Sequence, residues 1–136
     1  MQTANLTFFR RVGLLLLLGL AVSVLGITAG CAQPKYVHAV FFTCQPGTAD
    51  SEIDALVADG YELLSKVPSV RKIETGRRDV NAARKVNVTD YDVGLVVHFD
   101  DKSGYDAYEV HPTHRQYVEK HKAHWSKVRV FDFVAK

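Results

Sequence analysis

The chain has 136 residues, 47% of them apolar and 24% charged, with 17 Lys and Arg against 15 Asp and Glu. That mixture has room for one globular domain and excludes disorder, collagen and a disulfide-stapled miniprotein. The average conceals an asymmetry, because residues 1–30 carry only Arg10 and Arg11 and then run uncharged from Val12 to Gly30.

Two arginines followed by Leu14 to Leu18 and Ala21 to Leu25 have the form of an export signal, with a positive n-region and an apolar h-region. The same run is long enough to be weighed as a retained membrane anchor. What favours export is the ending Ile27-Thr28-Ala29-Gly30-Cys31, which resembles the lipobox of bacterial lipoproteins, although Thr28 stands where leucine is usual. On that resemblance residues 1–30 are a signal peptide, Cys31 is lipidated, and residues 31–35 are a tether. The acyl chains then anchor the protein to a membrane without spanning it, at roughly 0.8 kcal/mol per buried methylene. Ala32 in place of an aspartate after the cysteine points to the periplasmic face of the outer membrane.

Without Arg10 and Arg11 the charges balance at 15 of each sign. The best basic cluster, Arg71, Lys72, Arg77, Arg78, Arg84 and Lys85, is broken by Glu74 and Asp79, so no nucleic-acid surface is expected. With Cys31 lipidated, Cys44 is the only thiol left and no internal disulfide forms. It reads as a small, partly buried residue rather than a nucleophile.

Val37 to Thr43 is β-branched and aromatic, a first strand. Thr48 is placed to cap a helix with Asp50 and Glu52 in its first turn. Its apolar stripe is Ile53, Leu56, Val57, Tyr61, Leu64 and Val67, and Pro68 stops it. Val70 to Arg77 is a second strand, Asp79 to Asp90 a polar loop, and Tyr91 to Asp100 an alternating third strand. Lys102 to Val110 and Thr113 to Ser126 read as two helical pieces joined at His111-Pro112, and Val128 to Val134 as the last strand.

The order βαββαβ is the ferredoxin-like, split βαβ arrangement of the α+β class: a four-stranded antiparallel sheet with helices on one side. Strand parity sets Ala39, Phe41, Val96, Phe131 and Phe133 on the face opposite His38, Val40, Phe42, Leu95, Val97, Val128 and Val130. A sheet apolar on both faces needs cover on both. A second copy supplies it most economically, which predicts a homodimer forming a dimeric α+β barrel.

All six histidines lie beyond residue 35: His38, His98, His111, His114, His121 and His124. None has a metalloenzyme spacing, and no metal or cofactor is expected. On one helix face His114, Tyr117, Val118, His121 and Trp125 point toward the sheet, joined by Tyr108 and His111 from the preceding turns. With His38 they are expected around an apolar cavity, walled by Val40, Phe42, Leu56, Leu95 and Trp125. There a neutral histidine takes a proton and a tyrosine hydroxyl stabilises an oxyanion. The plainer reading of the same residues is a hydrogen-bonded core.

Val37 to Phe42, Tyr108-Glu109-Val110-His111-Pro112-Thr113-His114, Trp125 and Val130 to Phe133 together resemble the stress-responsive dimeric α+β barrel (Dabb) family over residues 36–134. The resemblance implies the barrel fold and a homodimer. By likeness to a plant polyketide cyclase of that family, it implies His114 as general base, Tyr108 as its hydroxyl partner and His38 in the pocket, with no cofactor. Leu56 and Gly60 stand where that cyclase has pocket aromatics, so cavity shape is not inherited. Three functions follow: a barrel binding a small apolar or aromatic molecule, connected with stress; a cofactor-independent cyclase-like or monooxygenase-like enzyme; or a dimeric interaction module with a filled cavity.

Overall fold

The computed structural model describes residues 34–136 apart from 83. The expected signal peptide, the lipidation site Cys31 and most of the tether lie outside the described residues. The elements run β1 (Tyr36–Cys44), α1 (Asp50–Leu64), β2 (Lys72–Arg77), β3 (Val93–Phe99), α2 (Lys102–Glu109), α3 (Pro112–His121), a 3-10 turn (Lys122–His124) and β4 (Trp125–Val134). The sheet order is β2-β3-β1-β4, and every neighbouring pair is antiparallel. This is the ferredoxin-like fold.

Register fixes which side chains share a face. His38 sits opposite Val97 and Asp132, Val40 opposite Leu95 and Val130, and Phe42 opposite Val93 and Val128. These point to the helices, and the core forms there from Val40, Phe42, Val93, Leu95, Val97, Phe99, Leu56, Leu64, Tyr108 and Tyr117. α1 packs on β2 and β3, α2 on β1 and β3, and α3 on α1. β4 pairs with β1 at the sheet edge, and its helix-side Val128 and Val130 remain 41% and 47% exposed. The opposite face is only partly covered: Val37 and Ala39 are buried there, but Phe131 and Phe133 are 54% and 52% exposed, and Phe131 meets Phe41 with ring centroids 6.0 Å apart.

Several boundaries differ from the sequence reading for identifiable reasons. α1 begins after Ala49 with no side-chain cap, because the Thr48 hydroxyl donates instead to the Gln45 carbonyl at 2.8 Å in the preceding turn. It ends at Leu64, and Val67 is buried in the turn that follows. Tyr61, expected in the buried stripe, is 59% exposed, since the stripe settles on Leu56, Gly60 and Leu64. Gly60 allows this close approach: a Cβ there would lie 3.3 Å from Thr75 Oγ1 and 3.5 Å from Tyr117 OH. Tyr91 precedes β3 and meets Phe41 edge-to-face, ring centroids 5.0 Å apart, on the opposite face rather than with Val93. The last helix stops at His121, and Trp125 opens β4 opposite Cys44.

Candidate functional site

A cavity of about 220 Å³ lies between the helix-side face of β1 and β4 and the roof formed by α2 and α3. His38, Val40, Phe42 and Leu95 come from the sheet, and Val128 and Val130 from β4. α2 and α3 supply Tyr105, Tyr108, Glu109, His114, Tyr117 and Val118, with Trp125 at the start of β4. It exists because α3 is hung from α1 rather than pressed onto the sheet. The Tyr117 hydroxyl donates to the Leu56 carbonyl at 3.3 Å, and His121 Nε2 donates to Asp59 Oδ2 at 2.7 Å.

The Pro112 break sets the roof. Pro112 occupies the first turn of α3, where its missing N–H costs nothing, and His111 Nδ1 accepts from the Thr113 N–H as the N-cap. One turn of α3 then returns His114 against Tyr108, ring centroids 4.5 Å apart. His114 Nδ1 lies 3.0 Å from the Glu109 carbonyl oxygen. A carbonyl only accepts, so Nδ1 carries the hydrogen and Nε2 keeps a lone pair. Burial lowers the His114 pKa against the opposing pull of that hydrogen bond, and the nearby His38 lowers it further.

His38 crosses from β1 to the same end of the cavity, its centroid 6.1 Å from Tyr108 and 5.1 Å from Tyr105. Its Nδ1 is 2.7 Å from Asp132 Oδ1, directly opposite on β4. Tyr108 is buried, and burial drives its pKa far upward, so the hydroxyl keeps its proton at neutral pH. Among the described residues no group pairs with that hydroxyl.

His38, Tyr108, His114, Val40, Phe42, Leu95 and Trp125 therefore all line one cavity. His111 is placed at the α3 cap, and Leu56 in the core under α1. His121, expected among the converging imidazoles, is buried but turned to Asp59 on α1. Asp132, Glu109 and Tyr105 were not singled out in the sequence. Strand pairing alone carried the signal for Asp132, since His38 and Asp132 fall at facing positions only once the β1–β4 register is known. Among the described residues no three His, Cys, Asp or Glu side chains converge as a metal site requires.

The stress responsive A/B barrel domain family (Dabb) matches residues 37–135. The chain belongs to this family. No curated protein matches it. Among solved structures, a Dabb family protein with a ferredoxin-like fold from Mesorhizobium loti is 26% identical, with a TM-score of 0.62 over 76% of this chain and 99% of that one. A dimeric ferredoxin-like protein of unknown function from Thermobifida fusca is 20% identical, with a TM-score of 0.64 over 76% of this chain and 93% of that one. The hydroxynitrile lyase of Passiflora edulis is 17% identical, with a TM-score of 0.65 over 76% of this chain and 95% of that one. Such likenesses give the Dabb chain its fold and leave its chemistry to its own side chains.

Proposed function

We propose that this protein is an exported, lipid-anchored Dabb domain that works as a homodimer and binds a small apolar or aromatic molecule beneath α2 and α3. The cavity carries the reading: aromatic and aliphatic walls with a few convergent polar groups at one end are the usual make-up of a small-molecule site. The open sheet face with Phe131 and Phe133 and the dimeric state of the Thermobifida fusca protein support the homodimer. The lipobox-like Ala29-Gly30-Cys31 supports the anchor. Titration with the neutral fluorophore N-phenylnaphthylamine tests the site: saturable binding, one per protomer, lost in Val118→Phe, is expected. Binding that survives Val118→Phe would place the ligand elsewhere. Mass spectrometry of the mature N-terminus tests the anchor, and an unmodified Met1 would refute it.

The contact of Tyr108 with His114 favours a second reading, a cofactor-independent enzyme. His114 Nε2 takes a proton from carbon next to a carbonyl. The C–H electron pair moves onto the oxygen as an enolate, and the Tyr108 hydroxyl donates a hydrogen bond to it. Deuterium exchange into phenylacetone, lost in a His114→Ala variant that still binds N-phenylnaphthylamine, separates turnover from binding. The interaction-module reading requires a filled cavity, and the open volume weighs against it.

A further inference from the structure

The two ends of the cavity differ in chemistry. Toward Phe42, the walls are Phe42, Trp125, Val118 and Val128, with the Phe42 and Trp125 rings 4.7 Å apart. About 13 Å away along β1, four residues at roughly 3.3 Å each, stand His38, Tyr105, Tyr108, Glu109 and His114.

The polar end is rich in acceptors. Asp132 takes the His38 Nδ1–H and the Glu109 carbonyl takes the His114 Nδ1–H, which leaves a lone pair on each Nε2 when the rings are neutral. The exposed Glu109 carboxylate lies near enough to act electrostatically on Tyr105 and His114, and Asp132 stands behind His38. Among the described residues, no lysine or arginine lines the cavity. Two cations approach from outside it: Lys102, over the Tyr105 ring, is paired with Asp106, and Arg115 is exposed on α3. Burial holds the His114 imidazole below its usual range, so near neutral pH it accepts rather than donates.

A carboxylate or phosphate entering here meets like charge and two imidazole lone pairs, with the uncharged hydroxyls of Tyr105 and Tyr108 as donors but no cation to pair it. A hydroxyl meets acceptors for its hydrogen. We infer that the ligand is an uncharged, hydroxyl-bearing amphiphile, its phenol or alcohol head donating to His38 or His114 and its hydrocarbon tail lying along Val40 and Val128 toward Trp125. This rests on the reading of the cavity as a binding site and adds to it a selection against acids of the same shape.

Trp125 is the single tryptophan of the chain and lines the cavity, so its fluorescence reports occupancy. The purified chain is titrated near neutral pH with para-butylphenol, para-butylbenzoate and para-butylanisole, and affinities are checked by equilibrium dialysis. The phenol is expected to bind roughly tenfold tighter than the benzoate or the anisole, about the worth of one satisfied hydrogen bond. Glu109 is exposed at the end of α2, so Glu109→Gln leaves the fold intact. It is expected to narrow the phenol-to-benzoate ratio by roughly threefold or more, as removal of one nearby charge requires. Equal binding of all three compounds, or a benzoate that binds at least as well as the phenol, overturns the selectivity and leaves the cavity a binding site. Absence of binding by all three overturns both.

Discussion

Asp132 on β4 and His38 on β1 face each other across the ladder and share a 2.7 Å hydrogen bond, although 94 positions separate them in the chain. The bond does two things. It ties the edge strand to the centre of the sheet, and it fixes the imidazole so that Nε2 is the nitrogen left for the cavity. Asp132→Ala removes the acceptor from a buried N–H, so it should cost about 1–3 kcal/mol in urea unfolding. Long-range nitrogen–proton NMR should show the His38 ring losing its single tautomer. An unchanged His38 spectrum in Asp132→Ala would mean that the carboxylate does not orient the ring.

His114 should titrate below the ordinary histidine value of about 6.5, because its burial disfavours the imidazolium. The unfolded chain binds this proton more readily than the folded one, so the contribution of His114 to stability is full above the unfolded pKa. It is lost as pH falls toward the lowered folded value. Stability measured from pH 7.5 down to pH 5 should therefore decline, and His114→Gln should flatten that decline. A His114 ring titrating at or above 6.5 by NMR would remove the physical basis for its neutral, proton-accepting state.

The fold was legible where one local pattern decided the matter. Alternation in β3 and the Pro112 break gave strand and helix assignments that the structure repeats, and parity sorted Phe131 and Phe133 from Val128 and Val130 correctly. Where a residue had two local uses, the sequence could not choose between them. Thr48 could cap α1 or close the Gln45 turn, and the turn took it. Trp125 fits the helical period but lies on β4, since the short 3-10 turn Lys122–His124 shifts the chain out of phase. Of the site, His38, Tyr108, His114 and Trp125 were readable from periodicity and family resemblance, whereas Tyr105 and Glu109 were not. Nor were the histidines' partners Asp132 and Asp59, because each comes from a distant element and carries no spacing signal.

Asp59 illustrates the consequence. Its burial would raise its pKa, but the hydrogen bonds from Lys120 and His121 outweigh that and hold the carboxyl below its usual range. The group therefore stabilises the fold above the unfolded carboxylate value of about 3.9, and that contribution disappears as pH falls through the lowered folded value. Asp59→Ala leaves a buried His121 N–H unpaired and should cost about 1–3 kcal/mol. Because α3 forms the roof, the same variant should speed hydrogen exchange in residues 112–121 more than in β1 or β3. Uniform acceleration across the domain would show a general loss of stability and no specific attachment of α3 to α1.

The open sheet face makes the last prediction. Phe131 and Phe133 expose half their surface beside Phe41 and Val96, a contiguous apolar area that a soluble monomer rarely leaves bare. Val128 and Val130, on the other side of β4, border the cavity instead. Phe131→Asp and Phe133→Asp should therefore convert a dimer into a folded monomer by light scattering at micromolar concentration, with the circular dichroism of the sheet retained. Each is exposed in the single chain, so neither should unfold it. Binding of N-phenylnaphthylamine should persist in both, since the cavity is built from one chain and opens on the opposite face. A variant that stays dimeric would move the interface off this face, and one that becomes monomeric and loses the fluorophore would show that the partner subunit helps to shape the site.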